Sequence, residues 1–438
     1  MKPEFSGFFF DMKHLFDLFY ETSGVSTDSR NIKADAFYIS LKGANFNGNQ
    51  FAEDALKSGA KYAIVDEKEF QTNERIFFVD NALKFLQDLA NYHRNKFSIP
   101  VIGITGSNGK TSTKELVNAV LSSHINVLCT KGNLNNHIGV PLTVLELNQQ
   151  HELAIIEMGA NKFGDIAELC AIASPTHGII TNIGKAHLEG FGGFEGVLKT
   201  KKELFDSLSG ISGHIVYNED DSVLRENLPH NISTTSYGTV DSDITGTLLA
   251  IDPFVSFQFK TKDYHSRLIE THLVGKYNFY NFLAATAFGV LFNVPYEKIE
   301  IALESYIPDN NRSQVLKTTN NTLILDCYNA NPTSMKSALE SFAMINKDNK
   351  IFIIGDMLEL GEVSSVEHQS IADLCVELGI NGYTVGPLFS KVTSPSFLEQ
   401  FQNTEDARNW LQTQTIEGKI VLLKGSRGIG LEKLQKEL

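Results

Sequence analysis

Cysteine is scarce and scattered. The four in the chain, Cys129, Cys170, Cys327 and Cys375, lie far apart with no paired spacing, which excludes a zinc site or a disulfide framework and points to a reducing, cytoplasmic compartment. Proline is sparse too, 11 among 438 residues, and no stretch is of low complexity, so ordered domains are expected throughout. No run of about 18 uncharged apolar residues occurs, which excludes membrane insertion by a helix. Near the start, the apolar run at residues 8–10 is broken by Asp11, Lys13 and Asp17 before it could form a signal-peptide core, and the segment reads as an amphipathic helix. Positive charge falls short as well. With 38 Lys and Arg against 52 Asp and Glu the net charge is -14, so the chain as a whole repels nucleic acid, and any polyphosphate must be met by a local site.

The chain is too long for one core, since single cores stop growing near about 250 to 300 residues. Its apolar runs alternate with amphipathic helical stretches, which implies an α/β protein with crossover connections. Three domains are expected: a small α/β domain at 1–98, a central mononucleotide-binding domain with a mostly parallel sheet at 99–310, and a Rossmann-like domain at 311–438. The first boundary falls at Ile99-Pro100, because a residue before proline avoids helix. Central strands are predicted at VIGITG, 153–157, 178–183, 214–218 and 269–274; in the third domain they are TLILDC, KIFIIGDM, YTVGP and KIVLLKG.

The segment Gly106-Ser107-Asn108-Gly109-Lys110-Thr111-Ser112 stands between a buried-strand pattern and a helical one. Glycines there let backbone N–H groups approach phosphate oxygens, the helix start adds partial positive charge, Lys110 supplies a point charge, and Thr111 can reach Mg²⁺. The general phosphate-loop pattern places glycine five residues before Gly109, where this chain has Ile104. Alone, the segment could equally be a strand-to-helix turn with a solvated lysine.

TGSNGKTS resembles the shortened phosphate loop of the Mur ligase superfamily, and the resemblance runs over nearly the whole chain. It implies an ATP-dependent amide ligase with two Mg²⁺. Glu157, which ends the strand LAIIE before MGAN, and His187 in AHLEGF match positions that hold the metal; the histidine by itself would read as structural. Lys201 matches a lysine that is carbamylated by CO₂, although without the resemblance the segment reads as a solvated helix face. Asn278 and Asn281, spaced to share a helix face, match adenosine contacts, with Tyr277 standing where the family usually has histidine. Arg312 resembles an arginine for the γ-phosphate and Asp326 a carboxylate for the ribose.

The same resemblance narrows the substrates. Asn329 and Asn331 in YNANP, GDMLELGE at 355–362 followed by His368, and Lys424, Ser426 and Arg427 in KGSRGIG are similar to the branch that adds D-Ala-D-Ala. Ser29, Arg30 and Lys42 match the edge that binds the UDP-MurNAc-tripeptide; Asp28-Ser29 could also cap a helix. Asn135 and Asn136 in TKGNLNNHIGVP match residues facing substrate. The branch adding diaminopimelate carries DNPR, which is missing. The family further implies a monomer. A ligase adding the third amino acid, and a catalytically silent ATP-binding scaffold, are the competing readings. Comparing amine donors separates the first, and a complete metal set of Lys110, Glu157, His187 and Lys201 argues against the second.

Overall fold

The computed structural model describes residues 12–185 and 188–438. The expected N-terminal amphipathic helix is therefore seen as Met12–Leu18, continued by a 3-10 turn Phe19–Glu21, and its residues 1–11 lie outside the described residues. The chain forms two compact units. One is built from Met1–Val101, Leu128–Met158 and Glu168–Ser174, the other from Ile102–Val127, Gly159–Ala167 and Pro175–Leu438.

In the first unit the strands Val25–Ser26, Phe37–Ile39, Tyr62–Val65 and Ile76–Phe78 pair in that order, all parallel. Phe37, Tyr38 and Ile39 are all buried, which is why the run reads as continuously apolar instead of alternating. The helix Ala82–Arg94 starts at Asn81, whose side chain accepts from the Lys84 N–H, and buries Ala82, Phe85, Leu86, Leu89, Ala90 and His93 along one stripe. Val127–Cys129 and Leu153–Glu157 run side by side in this unit, with the Thr130 N–H bonded to the Ile155 carbonyl at 2.9 Å.

The second unit holds two sheets. In the first, the strands Val101–Thr105, His177–Ile180, His214–Asn218, Ser233–Gly238 and Ile244–Ile251 follow one another in parallel, and Phe254–Lys260 and Ile269–Val274 extend the edge antiparallel. All five predicted central strands are present, VIGITG and 153–157 as Val101–Thr105 and Leu153–Glu157, and the ribbon between residues 233 and 260 is an addition that the apolar runs did not announce. The second sheet has the order Gln314–Lys317, Thr322–Asp326, Ile420–Lys424, Lys350–Gly355, Gly382–Val385 and Phe397–Phe401. It is parallel except for its first strand, and buried apolar clusters line its two faces. The four predicted strands are its interior; the two added ones are short, polar edges. Among the described residues no helix is long and apolar enough to cross a membrane.

Candidate active site

The phosphate loop follows the strand Val101–Thr105 and opens the helix Lys110–Ser122. That helix buries Thr113, Leu116, Val117, Val120 and Leu121, the spacing of one apolar face, so its N-terminus is fixed by the core. Gly106 has φ +143, and a Cβ on it would meet Thr181 Oγ1 at 2.0 Å; Gly109 has φ +79 and faces Asn281 Oδ1 at 2.9 Å. Both positions require glycine.

Neighbouring backbone and side chains hold the loop curled. The Ser107 N–H donates to the Asn182 carbonyl at 3.0 Å, the Asn108 N–H to Asn182 Oδ1 at 3.1 Å, and Thr181 Oγ1 and Asn182 Nδ2 donate to the Asn108 carbonyl at 2.6 and 2.9 Å. Lys110 Nζ reaches back to the carbonyls of Gly106 and Ser107 at 2.7 and 3.1 Å. The ammonium is thereby held over the loop, and Ile104, buried within the strand, leaves this geometry intact. Thr111 is buried at the first turn and Ser112 is half-buried beside it. Asn182 was not singled out in the sequence; its place at the carboxyl edge after a buried strand was the available signal.

Lys201 lies within the helix Phe194–Ser209 and is 2% exposed, its Nζ 5.5 Å from the centre of the Phe191 ring. Burial, then the nearby positive charge of Lys110, holds its amine well below the ordinary lysine range. Two residues on, Glu203 accepts the N–H groups of Gly164 and Ala167, both at 2.8 Å, which fixes the helix against that turn. Glu157 belongs to the first unit, is 1% exposed, and accepts from Asn135 Nδ2 at 2.8 Å. Asn136 accepts the Ile138 and Gly139 N–H groups at the start of the helix Gly139–Val144. His187 lies outside the described residues. Among the described residues no three His, Cys, Asp or Glu side chains converge as a metal cage.

The asparagine pair sits on the helix Tyr277–Leu291, which is buried nearly all round and packs on the phosphate-loop helix. Thr113 Oγ1 donates to Asn281 Oδ1 at 3.1 Å, and Asn281 Nδ2 donates to Asn278 Oδ1 at 2.8 Å. Asn278 is fully buried and donates to the Val274 carbonyl at 2.7 Å and to Ser313 Oγ at 3.0 Å. It lies inside the helix and does not cap it.

Asp326 and Lys424 end neighbouring parallel strands and are partners in register. Lys424, 2% exposed, is bonded to Asp326 at 2.6 Å and lies 3.5 Å from the Asn329 carbonyl. Arg312 stacks on Tyr328, its guanidinium carbon 3.8 Å from the ring centre, and Arg427 approaches the same ring at 5.4 Å and its hydroxyl at 3.5 Å. Asn331 caps the helix Pro332–Ala343 in a reciprocal pair with Ser334, and its Nδ2 donates to Asn108 Oδ1 at 2.7 Å, joining YNANP to the phosphate loop. Lys185 adds a 2.7 Å ion pair with Glu367. Ser426 is buried, accepting the Leu358 N–H at 2.9 Å. The GDMLELGE segment is pinned similarly: buried Asp356 accepts the Leu388 and Phe389 N–H groups, and His368, its pKa lowered by burial, accepts the Met357 N–H.

In the first unit Ser29 and Arg30 form a turn and no helix follows. Arg30 grips Asp28 with two bonds of 2.9 and 2.8 Å, and those bonds bring the Asp28 carboxyl down to about 2. Lys42, on a short hairpin, pairs with Asp66 at 3.1 Å and Glu67 at 3.3 Å.

Three family models match successive parts of the chain: the Mur ligase family catalytic domain at 21–94, the Mur ligase middle domain at 104–289, and the Mur ligase glutamate ligase domain at 311–427. The UDP-N-acetylmuramoyl-tripeptide--D-alanyl-D-alanine ligase of Bacillus subtilis is 31% identical over 427 residues, 95% of this chain and 93% of that one. Its namesake in Escherichia coli is also 31% identical, over 94% and 93% of the two chains. Among solved structures, MurF ligase from Thermotoga maritima in complex with ADP superposes with a TM-score of 0.86 at 27% identity, over 96% of this chain and 97% of that one. MurF from Acinetobacter baumannii gives 0.85 at 31% identity, over 94% and 92%. With matches of this identity along nearly its full length, the chain belongs to the Mur ligase family.

Proposed function

We propose that the chain is an ATP-dependent ligase that joins D-alanyl-D-alanine to UDP-N-acetylmuramoyl-tripeptide in peptidoglycan synthesis, acting as a cytoplasmic monomer. The observation that carries the reading is the bond between Asn331 of YNANP and Asn108 of the phosphate loop, which brings the segment similar to the D-Ala-D-Ala branch onto the ATP-binding loop. The relatives' names support the same donor and acceptor.

In the reaction a terminal carboxylate oxygen of the tripeptide attacks the γ-phosphorus and ADP leaves, giving an acyl phosphate. The amine nitrogen of D-Ala-D-Ala then attacks the acyl carbon, inorganic phosphate departs, and the amine proton is lost. No protein nucleophile is needed, so positioning and charge stabilisation account for the catalysis. We assign Gly106 to Ser112 to the phosphates, with Lys110 and Arg312 meeting the charge on the transferred group. Asn281 and Asp326 face the adenosine. Lys424, Ser426, Arg427 and Asn329 surround the dipeptide, and Ser29, Arg30, Lys42, Asn135 and Asn136 serve the nucleotide-linked substrate.

Thr111 offers a hydroxyl oxygen and Glu157 a carboxylate, each a hard donor of the kind that Mg²⁺ takes. When bound, magnesium neutralises charge on the β- and γ-phosphates. We also propose that Lys201 is carbamylated: an amine kept neutral by burial can add to CO₂, forming an N–C bond and releasing a proton, which leaves a carboxylate-like oxygen ligand.

The test is to incubate the protein with ATP, UDP-N-acetylmuramoyl-tripeptide and D-Ala-D-Ala, and to measure ADP release and the mass of the product. Ligation with D-Ala-D-Ala is expected. ADP release that requires lysine or diaminopimelate as the donor would overturn the assignment.

A further inference from the structure

We propose that Ser313 is a positioning residue for ligation: with Tyr277 it forms a clasp tying the helix of the asparagine pair to the strand ends that carry Asp326 and Lys424. The inference rests on the function proposed above.

A line of hydrogen bonds runs from the phosphate-loop helix to the candidate dipeptide site. It passes from Thr113 to Asn281, to Asn278 and to Ser313 Oγ at 3.1, 2.8 and 3.0 Å. It continues from the Ser313 N–H to Asp326 Oδ1 at 3.3 Å, and Asp326 Oδ2 accepts from Lys424 at 2.6 Å. Thr113 and Asn278 are 0% exposed, and Ser313 and Lys424 2%, so water cannot replace a lost partner without cost and the links are stiff.

Ser313 is where the line passes from one sheet's helix to the other sheet. Its φ is +50, and Asn311 two residues earlier has φ +56. Such backbone costs about 1 kcal/mol or more outside glycine and persists where the surroundings over-determine it. The surroundings do so here: the Tyr277 hydroxyl lies 2.8 Å from Ser313 Oγ. Tyr277 fits because the residue before the helix turn is Gly275, where a Cβ would stand 2.5 Å from the Tyr277 ring. Lys276 adds a backbone bond to Ser341 Oγ at 3.1 Å. The tyrosine that departs from the family's usual histidine thus has a partner, and Asn278, fully engaged inside the protein, serves the clasp.

Cutting the clasp would let Asp326 and Lys424 drift against the phosphate loop, and small misplacements of reacting groups lower kcat more than binding. The experiment compares the full chain with Tyr277→Phe, Ser313→Ala and the double variant. It measures kcat, KM for each substrate, the Kd for ADP, and hydrogen exchange of residues 420–427 with and without ADP. Each single variant is expected to lose about tenfold in kcat, with a smaller rise in the ADP Kd because Asp326 also faces the adenosine, and to show less protection of 420–427 with ADP than the parent. The double variant should fall no further than Ser313→Ala, which already removes the oxygen that the Tyr277 hydroxyl meets. An unchanged kcat, or a fall in kcat matched by an equal rise in the ADP Kd, would reduce the pair to ordinary packing. Should Ser313→Ala fail to fold, Tyr277→Phe removes a single oxygen and carries the test alone. If the parent makes no ADP with D-Ala-D-Ala, the donor reading has failed, and the exchange measurement with ADP still decides on the clasp.

Discussion

Replacing Gly106 by alanine should damage the protein far more than replacing Gly109, although both belong to the phosphate loop. At Gly106 the φ of +143 costs an alanine about 1–3 kcal/mol of backbone strain. The new Cβ would also lie 2.0 Å from Thr181 Oγ1 and 3.0 Å from the Thr181 backbone nitrogen. Thr181 has little room to retreat, because its N–H donates to the Thr105 carbonyl at 2.9 Å and its hydroxyl to the Asn108 carbonyl at 2.6 Å. Overpacking adds about 1–3 kcal/mol. The total of about 2–6 kcal/mol is a large part of the about 5–15 kcal/mol that holds a typical domain. At Gly109 the obstacle is a side-chain oxygen, Asn281 Oδ1 at 2.9 Å, and the left-handed backbone at φ +79 costs about 1–2 kcal/mol. Thermal melting and ADP calorimetry check the ranking: Gly106→Ala should melt at least about 5 °C lower and lose ADP binding, with Gly109→Ala in between. A Gly106→Ala protein that melts within about 2 °C of the parent and binds ADP normally would refute the reasoning.

Three further outcomes follow. Lys201→Met should lose at least about 100-fold in ligation. It should also flatten the rise of stability with pH, because the parent's folded state keeps that amine neutral at pH values where the unfolded chain protonates it; urea titrations at several pH values read this directly. His177 is pushed down to about 4 by burial and then by His214, and burial lowers His214 and His368 as well. Their contribution is complete above the ordinary histidine pKa of about 6.5 and is lost as pH falls toward the folded values, so His177→Gln should recover about 1–2 kcal/mol of the stability lost between about pH 7 and 5. An unchanged pH slope in that variant counts against it. Asn331→Ala gives up both the helix cap and the Asn108 bond and should cost about 1–2 kcal/mol in urea melts, whereas Asn331→Asp keeps the cap.

What the sequence disclosed follows physical lines. The strand, glycine turn and helix of the phosphate loop were legible because they are contiguous, whereas Asp326 and Lys424 were singled out by resemblance to the family. The ribbon between residues 233 and 260 was not, since its strands alternate burial or carry small polar residues, as Ser233–Gly238 does with three outer positions exposed or half-exposed. Periodicity placed Asn278 and Asn281 on one helix face; it could not tell that the face turns inward, because the helix Tyr277–Leu291 is buried nearly all round. Ser313 was invisible for another reason. Its role depends on a positive φ and on partners 35 and 36 residues earlier, Asn278 and Tyr277.

The segment between the helix Tyr296–Ser305 and the strand Gln314–Lys317 has a mechanical consequence. Arg312 stands two residues before that strand, and the Ser313 beside it is bonded to Asp326 on the adjoining one. The guanidinium is therefore mounted on the sheet with almost no slack. Any displacement of that sheet would carry the arginine with it, so on the proposed function the charge of Arg312 and the proposed dipeptide site would arrive in a single stroke.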